Sequence, residues 1–91
     1  MTASQTIKIK NLKGLHARAT AAFVKTAEQF QSKIVVEKEG EIPVSGKSIM
    51  GLLLLAVALG EEIKITADGD DAEQAIKALC DLVDNRFGED I

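Results

Sequence analysis

Residues 7–23 read Ile7-Lys8-Ile9-Lys10-Asn11-Leu12-Lys13-Gly14-Leu15-His16-Ala17-Arg18-Ala19-Thr20-Ala21-Ala22-Phe23. Ile7-Lys8-Ile9-Lys10 alternates apolar and polar, the period of a half-buried strand, and Leu12 extends its apolar face. Gly14 breaks the alternation. From Ala17 onward a second period takes over: Ala19, Thr20, Phe23, Ala27 and Phe30 recur at spacings that place them on one helical face. The chain therefore passes from strand to helix across Gly14-Leu15-His16, and that junction carries its only histidine.

The rest of the chain continues the alternation of elements. Ile34-Val35-Val36, within Lys33–Lys38, is β-branched and strand-prone. Glu39-Gly40 predicts a tight hairpin turn. Ile42-Pro43-Val44 predicts a short return strand, with Pro43 confining it to an edge or a bulge. Ser45-Gly46-Lys47-Ser48 reads as a loop, with Ser48 as N-cap of a second helix. That helix has an apolar face of Ile49, Leu52, Leu53, Ala56 and Val57 and is expected to end at Gly60. Glu62–Ala67 alternates as a strand. Asp68-Gly69-Asp70-Asp71 is a turn with acids where a helix dipole favours them. Ile76, Leu79, Cys80, Val83 and Phe87 form the stripe of a third helix, and residues 88–91 are expected to fray. The order β-α-β-β-α-β-α predicts an α+β domain, with helices covering one face of an antiparallel sheet and the other face open to water.

Composition bounds the function. Ninety-one residues with 46% hydrophobic content make one domain with its own core, and only Phe23, Phe30 and Phe87 are aromatic. A net charge of −3 with no basic run argues against nucleic-acid binding. The single cysteine, Cys80, excludes an internal disulfide and fits a reducing, cytoplasmic setting. The polar N-terminus lacks the apolar core of a signal peptide, and the run Leu52–Leu59 is too short to span a bilayer.

The chemistry is concentrated at the junction. The first turn of a helix leaves backbone N–H groups unpartnered beside the positive end of the dipole, which suits an anion. Arg18 adds a planar fork of donors matched to phosphate oxygens. A histidine at that point can carry a phosphoryl group on a ring nitrogen. Gly46-Lys47-Ser48 lacks the earlier glycine of a Walker loop. Ser48 is read as a helix cap that is also a candidate for regulatory phosphorylation. Leu52-Leu53-Leu54-Leu55 is more apolar than one buried face requires, so with Met50 it predicts either a docking patch, a deeper core or a homodimer contact. Cys80 is expected to be a buried packing residue. One histidine and one cysteine cannot build a zinc site, and the acids at 61–62 and 70–71 read as solvated turn residues.

Two motifs, Gly14-Leu15-His16-Ala17-Arg18 and Lys47-Ser48-Ile49-Met50-Gly51, closely resemble those of HPr, the histidine phosphocarrier family of the bacterial phosphotransferase system, and the likeness runs from the first strand to about Phe87. The resemblance implies an open-faced β-sandwich with sheet order 1-4-2-3 and three helices on one face. It implies a carrier rather than an enzyme, with no cofactor, acting as a cytoplasmic monomer. His16 would accept a phosphoryl group on Nδ1 from phosphorylated enzyme I, itself charged by phosphoenolpyruvate, and pass it to an enzyme IIA. Ala17 and Arg18 would hold the phosphate. Ala21, Ala22 and Lys25 with Ile49, Met50, Leu53 and Leu54 would form the docking surface, and Ser48 would be the target of an HPr kinase/phosphorylase. Two departures stand out. Ala19 occupies the position where the family usually has proline, and Glu41–Gly46 is one residue longer than in sugar-pathway members. Both the sugar-transport and the nitrogen-regulatory branch therefore remain open. Rival classes are a small ferredoxin-like binding or metallochaperone domain, which the lone cysteine disfavours, and a histidine phosphatase, which would need more basic residues than Arg18 and Lys25.

Overall fold

A computed structural model describes residues 1–91. Strand β1 spans Thr2–Lys8, helix α1 Ala17–Ala27, β2 Lys33–Glu37, β3 Val44–Ser45, α2 Ile49–Leu55, β4 Glu62–Asp68 and α3 Ala72–Asp84, followed by a 3₁₀ turn over Arg86–Gly88. The four strands form one antiparallel sheet in the order β1-β4-β2-β3. The α+β order, the sheet order and the open face all match the expectation.

Register explains why one face is covered. Ile63, Ile65 and Ala67 of β4 stand opposite Ile7, Gln5 and Ala3 of β1, and Val36 and Ile34 of β2 stand opposite Ile65 and Ala67. Those of β4 and β2 are buried against Phe23, Leu52, Leu79 and Val83 of the helices in one continuous core, Ala3 and Ile7 of the edge strand β1 pack partly against it, and Gln5 is exposed. The intervening residues face the other way. There Lys8 pairs in register with Glu62, and Lys64 with Glu37, so opposite charges sit across from one another on the open face. No helix is long and apolar enough to cross a membrane.

Several boundaries differ from the sequence reading. β1 begins at Thr2, because an edge strand with an open outer face can be built largely from polar residues. Ile9 leaves the strand yet is fully buried, while Leu12 is 56% exposed rather than on the apolar face. The β2–β3 connection is longer than a tight hairpin. Pro43, lacking an N–H, stays outside β3, and Ile42 is 83% exposed. Helix α2 ends at Leu55, well before Gly60. Its cap is Ala56 in the left-handed region, at φ 51°. The Lys38 ammonium donates to the carbonyls of Leu55 and Ala56 at 3.2 and 3.1 Å, holding the helix end. Val57 is buried from the segment beyond α2, and Leu53 lies on the surface.

Two residues of α3 and its approach also need correction. Cys80 is half-buried, and it borders a shallow groove with Ala3, Gln5, Ile7 and Ile76. Desolvation, and then the charges of Asp84 and Asp81, push its thiol above the ordinary range, so the thiolate is disfavoured. Asp71 is more than a solvated helix-start acid. Its carboxylate accepts from the amides of Gln31 and Ser32 and from the Ser32 hydroxyl at 2.8, 2.9 and 2.5 Å, clamping the α1–β2 loop to the start of α3.

Candidate functional site

The loop that delivers His16 is fastened from below. The Leu15 amide donates to the Val57 carbonyl at 2.9 Å, and the Thr20 hydroxyl donates to the Leu15 carbonyl at 3.2 Å. Leu15, Ala19 and Thr20 are buried. Asn11, fully buried, donates from Nδ2 to the Gly14 carbonyl at 2.8 Å. The loop backbone thus has packed residues beneath it, and the next residue, His16, emerges at the surface.

His16 is the N-cap of α1, with φ −76° and ψ 178°. Its carbonyl accepts the first helical bond, from Thr20 at 2.9 Å. Its Nδ1 accepts from the Arg18 amide at 3.3 Å, the bond a serine or aspartate cap would make. The amides of Ala17, Arg18 and Ala19 precede the helical ladder, and the first turn carries no acid, so the positive end of the dipole is uncompensated. Arg18 is exposed, and its guanidinium makes no ion pair, leaving the fork free for an anion.

The carboxyl-terminal segment completes the site, and the sequence reading missed it. Residues 88–91 were expected to fray, yet Glu89 folds back onto the imidazole. Its Oε2 lies 2.5 Å from His16 Nε2, and its Oε1 accepts from Asn11 Nδ2 at 3.0 Å. Burial pushes the Glu89 carboxyl up. The hydrogen bonds from His16 and Asn11, with the nearby charges of His16 and Lys13, outweigh it and hold the carboxyl below the usual range. The chain reaches this contact through three consecutive left-handed residues, Arg86, Phe87 and Gly88, at φ 54°, 55° and 81°. The two that are not glycine cost about 1–2 kcal/mol each. Phe87 packs against the core, and Glu89 is held by the site itself. Lys13, His16, Ala17, Arg18 and the segment from Phe87 to Ile91 line a shallow hollow. No local pattern in the sequence signals Glu89 or Asn11, because both act through contacts distant in the chain.

The other predicted residues fall on the neighbouring helices. Ala17, Arg18, Ala21 and Lys25 are exposed on α1, and Ala22 is half-buried. Ile49, Met50, Leu53 and Leu54 are exposed on α2, Leu54 most of all at 72%. Helices α1 and α2 pack together, so the apolar residues of the short helix lie beside the one that carries His16. Ser48 is the N-cap of α2, its Oγ accepting from the Gly51 amide at 3.0 Å.

Comparison with known proteins bears on this arrangement. The family described as "PTS HPr component phosphorylation site" matches residues 3–85. The phosphocarrier protein HPr of Neisseria meningitidis serogroup A is 49% identical across 93% of this chain and 94% of its own. That of Xylella fastidiosa strain Temecula1 is 45% identical across 92% and 93%. A crystal structure of HPr-C-His from Thermoanaerobacter tengcongensis superposes with a TM-score of 0.93 at 52% identity, covering 98% of this chain and 99% of that one. With the sheet order, the histidine-capped helix and a match over nearly the whole length in agreement, the chain belongs to the HPr family of phosphocarrier proteins of the phosphotransferase system.

Proposed function

We propose that His16 receives a phosphoryl group on Nδ1 from phosphorylated enzyme I and hands it to an enzyme IIA. The observation that carries this reading is the position of Nδ1. It already accepts a hydrogen bond from the end of α1, at the Arg18 amide. The incoming phosphorus bonds to the Nδ1 lone pair as its bond to the donor breaks, roughly in line. The Arg18 amide, no longer bound to Nδ1, is then placed to donate to a phosphate oxygen, with the dipole and the unpaired Arg18 fork beside it. In the second transfer the P–Nδ1 bond breaks and its electron pair returns to the ring. The carrier supplies position and electrostatics, while the partner completes the reaction centre.

Docking of both partners is assigned to Ala21, Ala22 and Lys25 together with Ile49, Met50, Leu53 and Leu54. The patch is small and, Lys25 apart, apolar, which suits brief contacts of modest affinity. Ser48 lies directly before Ile49 and Met50. Phosphorylation there by an HPr kinase/phosphorylase would set a double negative charge at the edge of the patch, where docking would have to desolvate it.

The test is incubation with phosphoenolpyruvate and enzyme I, followed by assay for acid-labile, base-stable phosphate. His16→Ala is expected to remain folded and lose all of it. Acid-labile label retained in that variant refutes the assignment.

A further inference from the structure

We propose that Glu89 is a positioning residue for phosphoryl transfer: its carboxylate holds the proton of His16 on Nε2, so that the lone pair stays on Nδ1 and the ring keeps its reactive edge toward the end of α1. The proposal rests on the reading of His16 as the phosphoryl acceptor.

Two contacts converge on the same tautomer. The Arg18 amide donates to Nδ1, which requires an unprotonated nitrogen there. The Glu89 carboxylate, an acceptor only, faces Nε2 at 2.5 Å, which requires a proton there. The carboxylate is itself fixed: its other oxygen accepts from Asn11 Nδ2, and that same nitrogen donates to the Gly14 carbonyl in the loop that carries His16. Side-chain exposure is 27% for His16 and 15% for Glu89, so the contact is partly shielded from water. The left-handed run at Arg86–Gly88 turns the chain into it. Glu89 lies outside residues 3–85, the span matched by the family model.

The consequence follows from charge. Phosphorus bonding to Nδ1 while Nε2 keeps its proton makes the ring cationic. A carboxylate at Nε2 offsets that charge without accepting the proton. When the phosphoryl group departs, the electron pair of the P–N bond returns to Nδ1 and the ring is again neutral with its proton on Nε2. No proton has to enter or leave during either transfer.

The experiment uses the full chain and its Glu89→Ala and Glu89→Gln variants, each labelled with ¹⁵N in the imidazole. At alkaline pH, ring nitrogen shifts are expected to show the Nε2-protonated tautomer in the parent and a mixture in Glu89→Ala. With enzyme I as donor, Glu89→Ala is expected to lose roughly tenfold in kcat at little change in KM. Glu89→Gln still offers an amide oxygen to Nε2–H and should fall between the two. An unchanged tautomer or unchanged kcat in Glu89→Ala, or a Gln variant no better than Ala, overturns the proposal. In each of those cases the parent still labels on His16. Failure of the parent to label refutes the acceptor reading instead, and the ring shifts, which need no donor, still decide the tautomer.

Discussion

Replacing Gly14 by alanine should expose how firmly the His16 loop is tied to the segment after α2. Gly14 has φ +65°, and a Cβ built there would stand 2.4 Å from the Val57 carbonyl oxygen and 3.0 Å from the Ala58 Cα. Both neighbours are backbone and cannot rotate away as a flexible side chain would. The left-handed conformation alone costs an alanine about 1–2 kcal/mol. Moving the Val57 carbonyl also strains its hydrogen bond from the Leu15 amide at 2.9 Å, an interaction worth about 1 kcal/mol. Together with the residual overlap, the expected loss is about 2–4 kcal/mol. For a domain of this size that corresponds to a fall in Tm of roughly 10–25 °C.

The control for this prediction is Gly40→Ala. Gly40 has φ +84° but nothing within 4 Å of the added Cβ, so it carries the conformational cost without the clash. Its expected loss is about 1–2 kcal/mol. Thermal unfolding followed by far-ultraviolet circular dichroism compares the two directly. Equal losses would refute the reasoning, since they would mean that the Val57 segment gives way freely and does not brace the loop.

Acid and capping effects test two further parts of the fold. The hydrogen bonds from the Ser32 hydroxyl and the Gln31 amide hold the Asp71 carboxyl below its ordinary value. Its stabilising contribution is therefore fully present above the unfolded value of about 3.9 and is lost as pH falls through the lower folded value. Asp71→Asn should accordingly be less stable than the parent at pH 7, with the difference shrinking in urea titrations toward pH 2; a gap that persists there would count against the clamp. Ser48→Ala should lose about 1 kcal/mol of stability with the cap on Gly51, while Ser48→Asp should retain the cap and slow labelling by enzyme I. A Ser48→Asp variant that labels at the parent rate would leave Ser48 with a capping role only.

The elements that were legible in the sequence are those whose signal is local. Ile63, Ile65 and Ala67 alternate in β4, and Phe23 and Ala27 repeat along α1, so period alone located both. The His16 junction was legible for the same reason, being a change of period. What escaped was decided at a distance. The polar start of β1 is a strand because β4 lies beside it in register from Thr2 opposite Asp68 onward. The end of α2 is fixed at an alanine because Lys38, just beyond β2, reaches its last carbonyls. Asp71 was read as a dipole-favoured acid, but its partners lie some forty residues earlier in the chain. Glu89 was the largest omission, since a polar tail four residues long carries no periodic signal at all.

With His16 as the proposed phosphoryl acceptor, its placement resolves two opposing demands on a carrier. The reacting nitrogen must be held accurately, because transfer depends on near in-line geometry. On that proposal it must also be open enough for a phosphoryl donor and an acceptor to approach it in turn. Burying the histidine would meet the first demand and defeat the second. Here accuracy comes from residues below and beside the ring. Leu15 and Thr20 are buried, Asn11 ties Gly14 to Glu89, and the Arg18 amide meets Nδ1. The side chain itself retains 27% of its exposure, with the apolar surface of α2 on the helix adjacent to α1. This division also explains how Ala19 is tolerated where proline is usual. Proline would pre-set the first helical turn, but here that turn is already fixed by the Thr20 hydroxyl bonding back to the Leu15 carbonyl and by Ala19 packing into the core with no exposed surface.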